Sequence, residues 1–248
     1  MKNLVDRYRE LTQAFRGVLT ELEAELSIGR SLRDLELAAQ DAVVRRGHES
    51  SFKGYRGFPA FITASLNDEI LNTVPDNRRL KDGDLLKLQV GIKGGGAHAY
   101  QSWTYAIGRV RDADRSLIDA GQKALARAVA DVRPTSVKPI SRAIQETIEG
   151  AGFSVNRSYV GHGMGEGQHE PPQIPCYASD EYDDRLRPGQ ILSIQVIAHA
   201  GAPRCRTIQW NVKSADGKRA VIFSQMLVVG RDGPPETLLE PRSPYFGG

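Results

Sequence analysis

The stretch Gly161-His-Gly-Met-Gly-Glu-Gly-Gln-His-Glu-Pro-Pro172 decides how this chain is read. It is a glycine-rich loop carrying two imidazoles, His162 and His169, whose ordinary pKa suits proton transfer near neutral pH. Upstream lie Tyr55-Arg-Gly-Phe-Pro59, Asn67 and Val74-Pro-Asp76. Around the loop, two segments echo one another. Lys81-Asp-Gly-Asp-Leu-Leu-Lys-Leu-Gln-Val90 aligns with Arg187-Pro-Gly-Gln-Ile-Leu-Ser-Ile-Gln-Val196, each a turn, then a strand, with glutamine at the same strand position.

Helical spacing of Leu4, Tyr8, Leu11, Phe15, Leu19, Leu22 and Leu26 predicts a helix over 4–27. A second should start at Ser31, with Asp34 three residues on as a capping signal, and run to about Arg46. Two more fit 113–131 and 139–150, the latter with Pro139 in its first turn. Phe58–Ser65, Leu85–Ile92, His98–Gly108, Ile191–Ala198 and Ala220–Val229 read as strands, with Gly94-Gly95-Gly96 as a hairpin turn. Each half thus carries a helix pair before its strand group. That order is α+β rather than alternating βαβ. With no linker-like stretch, the 248 residues read as one domain, 1–248. It opens with an N-terminal helix within 1–30 and ends in a loosely packed tail, 234–248.

Forty per cent apolar residues is an ordinary globular composition, and a net charge of +3 is slight. No basic block points to nucleic acid. No apolar run approaches the roughly 18 residues a membrane span needs, and no signal peptide is evident at the N-terminus. Cys176 and Cys205 are too few for a disulfide framework, so a reduced, cytoplasmic setting is expected. Cys176, near the His169 loop, is a weak candidate nucleophile, because nothing in the sequence lowers its thiol pKa.

These motifs resemble the methionine aminopeptidases and, with them, the creatinase and prolidase family. The resemblance implies a pita-bread fold, two pseudo-twofold halves of helices packed on a curved antiparallel sheet. It also implies a site with five ligands for two metal ions. The His of the Gly-His-Gly motif falls on His162. The four carboxylate positions fall on Gln89, Tyr100, Gln195 and Gln225. Two assisting histidines of the family correspond to Asn72 and His169, and the Phe before the latter corresponds to Gln168. The apolar pocket of the family maps onto Tyr55, Phe58 and Trp210, with Phe52 placed to shrink it.

Two divalent ions close together repel strongly and need anionic oxygens around them. Glutamine offers one neutral carbonyl oxygen and a non-ligating NH2. The residues therefore lead to the expectation of no cofactor and no metal pair. Buried amides need partners, so Gln89, Gln195 and Gln225 imply a mutually bonded network or a polar ligand. The expected function is a metal-independent enzyme on a small-molecule or peptide ligand, with His162, His169 and Tyr100 moving protons. Gln89, Gln195, Gln225, Asn72, Gln168, Tyr55, Phe58 and Trp210 would bind that ligand. A non-catalytic peptide- or protein-binding chain and a metal-dependent aminopeptidase stand as alternatives.

Overall fold

The computed structural model describes residues 2–246. Helices α1 (Leu4–Ala24) and α2 (Leu32–Val44) precede the first strand group: β1 (Glu49–Ser50), β2 (Ile62–Leu66), β3 (Glu69–Leu71), β4 (Leu85–Gly94) and β5 (Ala97–Ile107). Helices α3 (Asp112–Ala130) and α4 (Lys138–Gly150) precede the second. That group comprises β6 (Ser154–Val155), β7 (Val160–Met164), β8 (Glu170–Pro175), β9 (Ile191–His199), β10 (Cys205–Ile208), β11 (Asn211–Ser214) and β12 (Ala220–Val228). Two short tail strands follow, β13 (Glu236–Thr237) and β14 (Tyr245–Phe246).

Local chemistry explains the elements. Ser31 caps α2 in a full capping box: its hydroxyl accepts from Asp34 N–H, and the Asp34 carboxylate accepts from Ser31 N–H. α1 buries Tyr8, Leu11, Phe15, Val18, Leu19 and Leu22 on one face and stops at Ala24, short of the predicted 27. The β4–β5 turn falls on Gly95 and Gly96, at φ 59° and 72°, a left-handed pair that glycine adopts without strain. The strand expected from Phe58 begins only at Ile62, because Tyr55–Gly57 forms a tight 3₁₀ turn and Pro59 follows.

β4 is the centre of the first sheet, flanked by β5 on one side and by β1 and β2 on the other. β9 is the centre of the second, between β12 and β7. β3, β11 and β10 make a small third sheet. α1 packs on β5 and β4, and α3 on β12 and β9. The internal echo is real in three dimensions. Gln89 pairs with Ser102 on β5, and Gln195 pairs with Ser224 on β12. The halves meet along a polar seam: Ser102 N–H donates to Ser224 Oγ (2.8 Å), and Thr104 Oγ donates to Ile222 O (2.9 Å) and accepts from Ile222 N–H (2.8 Å).

The tail is not loosely packed, contrary to expectation. Leu238 and Leu239 are buried, β13 pairs with β12, and β14 lies parallel to the end of β5. Arg242 Nε reaches Glu23 on α1 (2.8 Å), and Arg9 makes a two-pronged pair with Glu236 (2.8 and 2.7 Å). These partners lie far apart in sequence, so spacing alone gives no sign of them. Gly247 and Gly248 lie outside the described residues.

Candidate functional site

The edges of the two sheets open onto a cleft of about 1030 Å³. On its floor, Gln89 stands between Thr63 and Ser102 in register. Thr63 Oγ donates to Gln89 Oε1 (2.8 Å), Asn72 N–H donates to the same oxygen (3.3 Å), and Gln89 Nε2 donates to Ser102 Oγ (2.8 Å). Asn72 is held at φ 61°, which turns its amide towards this bond. From β5, Tyr100 donates its hydroxyl proton to Gln195 Oε1 (3.2 Å) and accepts from Ser193 Oγ (2.9 Å). Burial raises the Tyr100 pKa, so the phenol stays protonated.

β7 places His162 beside this floor. Its Nδ1 faces Gly163 O at 2.9 Å; a carbonyl only accepts, so Nδ1 carries the proton and Nε2 the lone pair. The ring stacks on Tyr100 (5.9 Å, 11°) and lies 4.3 Å from the His169 ring. Burial lowers the His162 pKa. His169 is pushed down to about 4, first by lost hydration, then by the cost of a second cation beside His162 and by the Arg56 charge. Both imidazoles are therefore neutral at neutral pH. His169 also stacks on Tyr55 (5.5 Å), and Phe58 meets Trp210 edge to face (5.4 Å). Tyr55 and Trp210 remain 41% and 36% exposed, leaving an aromatic shelf open to solvent. Phe52 lies edge-on to Tyr100 (6.3 Å) and so stands within the cleft, where the sequence placed it.

The two imidazoles, Tyr100, Gln89 and Gln195 thus meet on one floor, while Asn72, Gln168, Tyr55, Phe58 and Trp210 line the same cleft. Gln225 does not belong with them. It is buried away from the cleft and donates Nε2–H to Leu239 O (2.9 Å), so the packed tail takes the bond reserved for a ligand. Nor do the three glutamines bond to one another: Gln89 is held by hydroxyls of its own sheet, Gln195 by the Tyr100 hydroxyl of the other sheet, and Gln225 by the tail. Cys176 is fully buried, its thiol donates to Gln195 O (3.3 Å), and burial pushes its pKa up to about 11. It is no nucleophile. Sequence reasoning missed Arg56 and the supporting hydroxyls of Thr63, Ser102 and Ser193. Residues directly opposite the glutamines across each strand pair would have identified Thr63 and Ser102.

Residues 6–231 match the family model described as metallopeptidase family M24. The chain belongs to that family. It is 36% identical over 216 residues to methionine aminopeptidase 1 of Bacillus subtilis, covering 86% of this chain and 87% of that one. It is 30% identical to the methionine aminopeptidase of Clostridium perfringens, over 94% and 95% of the two chains. The crystal structure of methionine aminopeptidase from Thermotoga maritima superposes with a TM-score of 0.92 at 26% identity, covering 97% of this chain and 98% of that one. The pita-bread fold expected from the motifs is therefore the fold of this M24 chain.

This near end-to-end likeness overturns the expectation of a metal-independent enzyme with chemistry of its own. It gives no support to the non-catalytic alternative either. The family name implies a bound metal, for which the cleft offers His162, His169 and neutral amides. Among the described residues, no three side chains of His, Cys, Asp or Glu converge. The amide oxygens of Gln89 and Gln195 are neutral and already accept hydrogen bonds from Thr63, Asn72 and Tyr100. This donor set does not fit a pair of divalent ions.

Proposed function

We propose that this M24 chain acts on peptides with a free N-terminus, in the manner of an aminopeptidase, and seats the first residue in the cleft. The observation that carries the reading is its likeness, over most of the length of both chains, to relatives named methionine aminopeptidase. The cleft's construction agrees with it. The shelf of Tyr55, Phe58 and Trp210 offers flat apolar area to a first side chain. His162 Nε2 supplies a proton acceptor where the adjoining peptide group would lie. Tyr100, fixed by Ser193 and Gln195, keeps the rings of this floor in place.

The test is a panel of X-Ala-Ala tripeptides with free or acetylated N-termini, incubated with Mn²⁺, Co²⁺, Fe²⁺ or Zn²⁺ and with a chelator. Binding is read by calorimetry and turnover by the amino acid released. Free peptides should bind and lose their first residue, and acetylated ones should do neither. Equal handling of the two forms, or no binding and no release, overturns the reading.

A further inference from the structure

Gln168 is the unmatched group of the cleft. It is only 4% exposed and lines the cavity, yet neither its Oε1 nor its Nε2 has a hydrogen-bond partner. The other glutamines of the floor, Gln89 and Gln195, are engaged by protein groups. A buried carboxamide with both ends empty is costly unless something else completes it. The loop carrying Gln168 is pinned on either side. Gly165 N–H donates to Gly167 O (3.1 Å), Gly167 N–H donates to Glu170 Oε1 (2.7 Å), and Tyr8 donates to Gly165 O from α1 (2.8 Å). The side chain is therefore presented to the cleft by a held backbone.

A partner that satisfies both ends must set an acceptor against Nε2 and a donor against Oε1, side by side. A primary carboxamide does this in one plane, forming a closed pair of hydrogen bonds. A thioether such as methionine's offers a weak acceptor and no donor. A carboxylate brings acceptors alone and an ammonium donors alone. Each therefore satisfies one end of Gln168 and leaves the other empty. Of the ionic groups lining the cleft, Arg56, Glu181 and Asp184 are exposed, and Glu170 is engaged by the loop.

We infer that the cleft selects a first residue whose side chain ends in a primary carboxamide, asparagine or glutamine, with Gln168 as the specificity-determining residue. This rests on the peptide-N-terminus reading above and names the substrate class of that same site.

The experiment is calorimetric titration of Asn-Ala-Ala, Gln-Ala-Ala, Met-Ala-Ala and Glu-Ala-Ala into the wild-type chain and the variants Gln168→Leu and Gln168→Glu. Thermal melts establish that each variant folds. The wild type should bind the Asn or Gln peptide at least about tenfold more tightly than the Met and Glu peptides. Gln168→Leu should abolish that preference and bind Met-Ala-Ala at least as well. Gln168→Glu keeps the volume but loses the donor, and should lose the preference too, which secures the test if the leucine variant fails to fold. Equal wild-type affinity for all four peptides overturns the inference. So does a uniform weakening of all four in the variants, which would assign the carboxamide to the peptide backbone. If no free-amino peptide binds, the N-terminus reading itself fails and the inference falls with it.

Discussion

Lys87 shows what a single residue can store. Its amine is fully buried and is pulled down to about 7 by loss of hydration, against an ordinary value of 10.5. It donates to Asn67 O and Leu85 O, but both carbonyls have backbone partners as well, Ala220 N–H and Asn67 N–H. The unfolded chain binds this proton more tightly than the folded one. The cost is therefore fully present below pH 7 and fades as pH rises from 7 to 10.5. Lys87→Met should raise stability at pH 7 or below by a few kcal/mol. Denaturant melts at several pH values should show that gain shrinking towards pH 10. At this same scale the sequence is least legible. Gln89, Gln195 and Gln225 look alike in the strand pattern, yet two face the cleft and one faces the tail. Whether a carboxamide is satisfied, as at Gln89, or empty, as at Gln168, depends on hydroxyls and loops far along the chain.

At the scale of elements, the signals were local and the reading was close. The Ser31 cap, the face of α1 and the Gly95-Gly96 turn all form where their chemistry predicts. Ser31→Ala should cost about 1 kcal/mol by removing the side-chain half of the capping box, measurable by urea unfolding. The site loop is held from α1, a contact that periodicity does not reveal. Tyr8→Phe removes the bond to Gly165 O and should cost on the order of 1 kcal/mol while weakening peptide binding. In the same loop, a Cβ at Gly165 would lie 2.1 Å from Glu170 Oε2, so the carboxylate that accepts from Gly167 N–H would have to move aside. Gly165→Ala should push the Glu170 carboxylate off Gly167 N–H, loosen the loop that carries Gln168 and weaken peptide binding, with far smaller effect on a thermal melt. An alanine variant that binds normally would show that the loop is not fixed by this contact.

For the molecule as a whole, both ends of the pH scale matter. His199 is buried between Asn156 and Ser214, and lost hydration pushes it down to about 4 from 6.5. The folded chain resists this proton, so the stability it contributes is intact above pH 6.5 and is lost as pH falls from 6.5 to 4. The loss is of order 3 kcal/mol, and acid unfolding of His199→Gln should be flatter over that window. The pita-bread architecture was legible because the glycine-histidine loop and its companion motifs resemble those of the methionine aminopeptidases, whereas the repeated strand by itself indicated only two similar α+β halves. The tail was not, because its partners lie on α1 and β5. That arrangement has a temporal consequence. Tyr8 waits for residue 165, Arg9 for residue 236 and Glu23 for residue 242. During synthesis α1 therefore emerges well before the groups that tie its polar side chains. Its apolar stripe can dock on β4 and β5 once residue 107 is made, while the polar ties wait for residues 165, 236 and 242, so the helix is seated early and locked late.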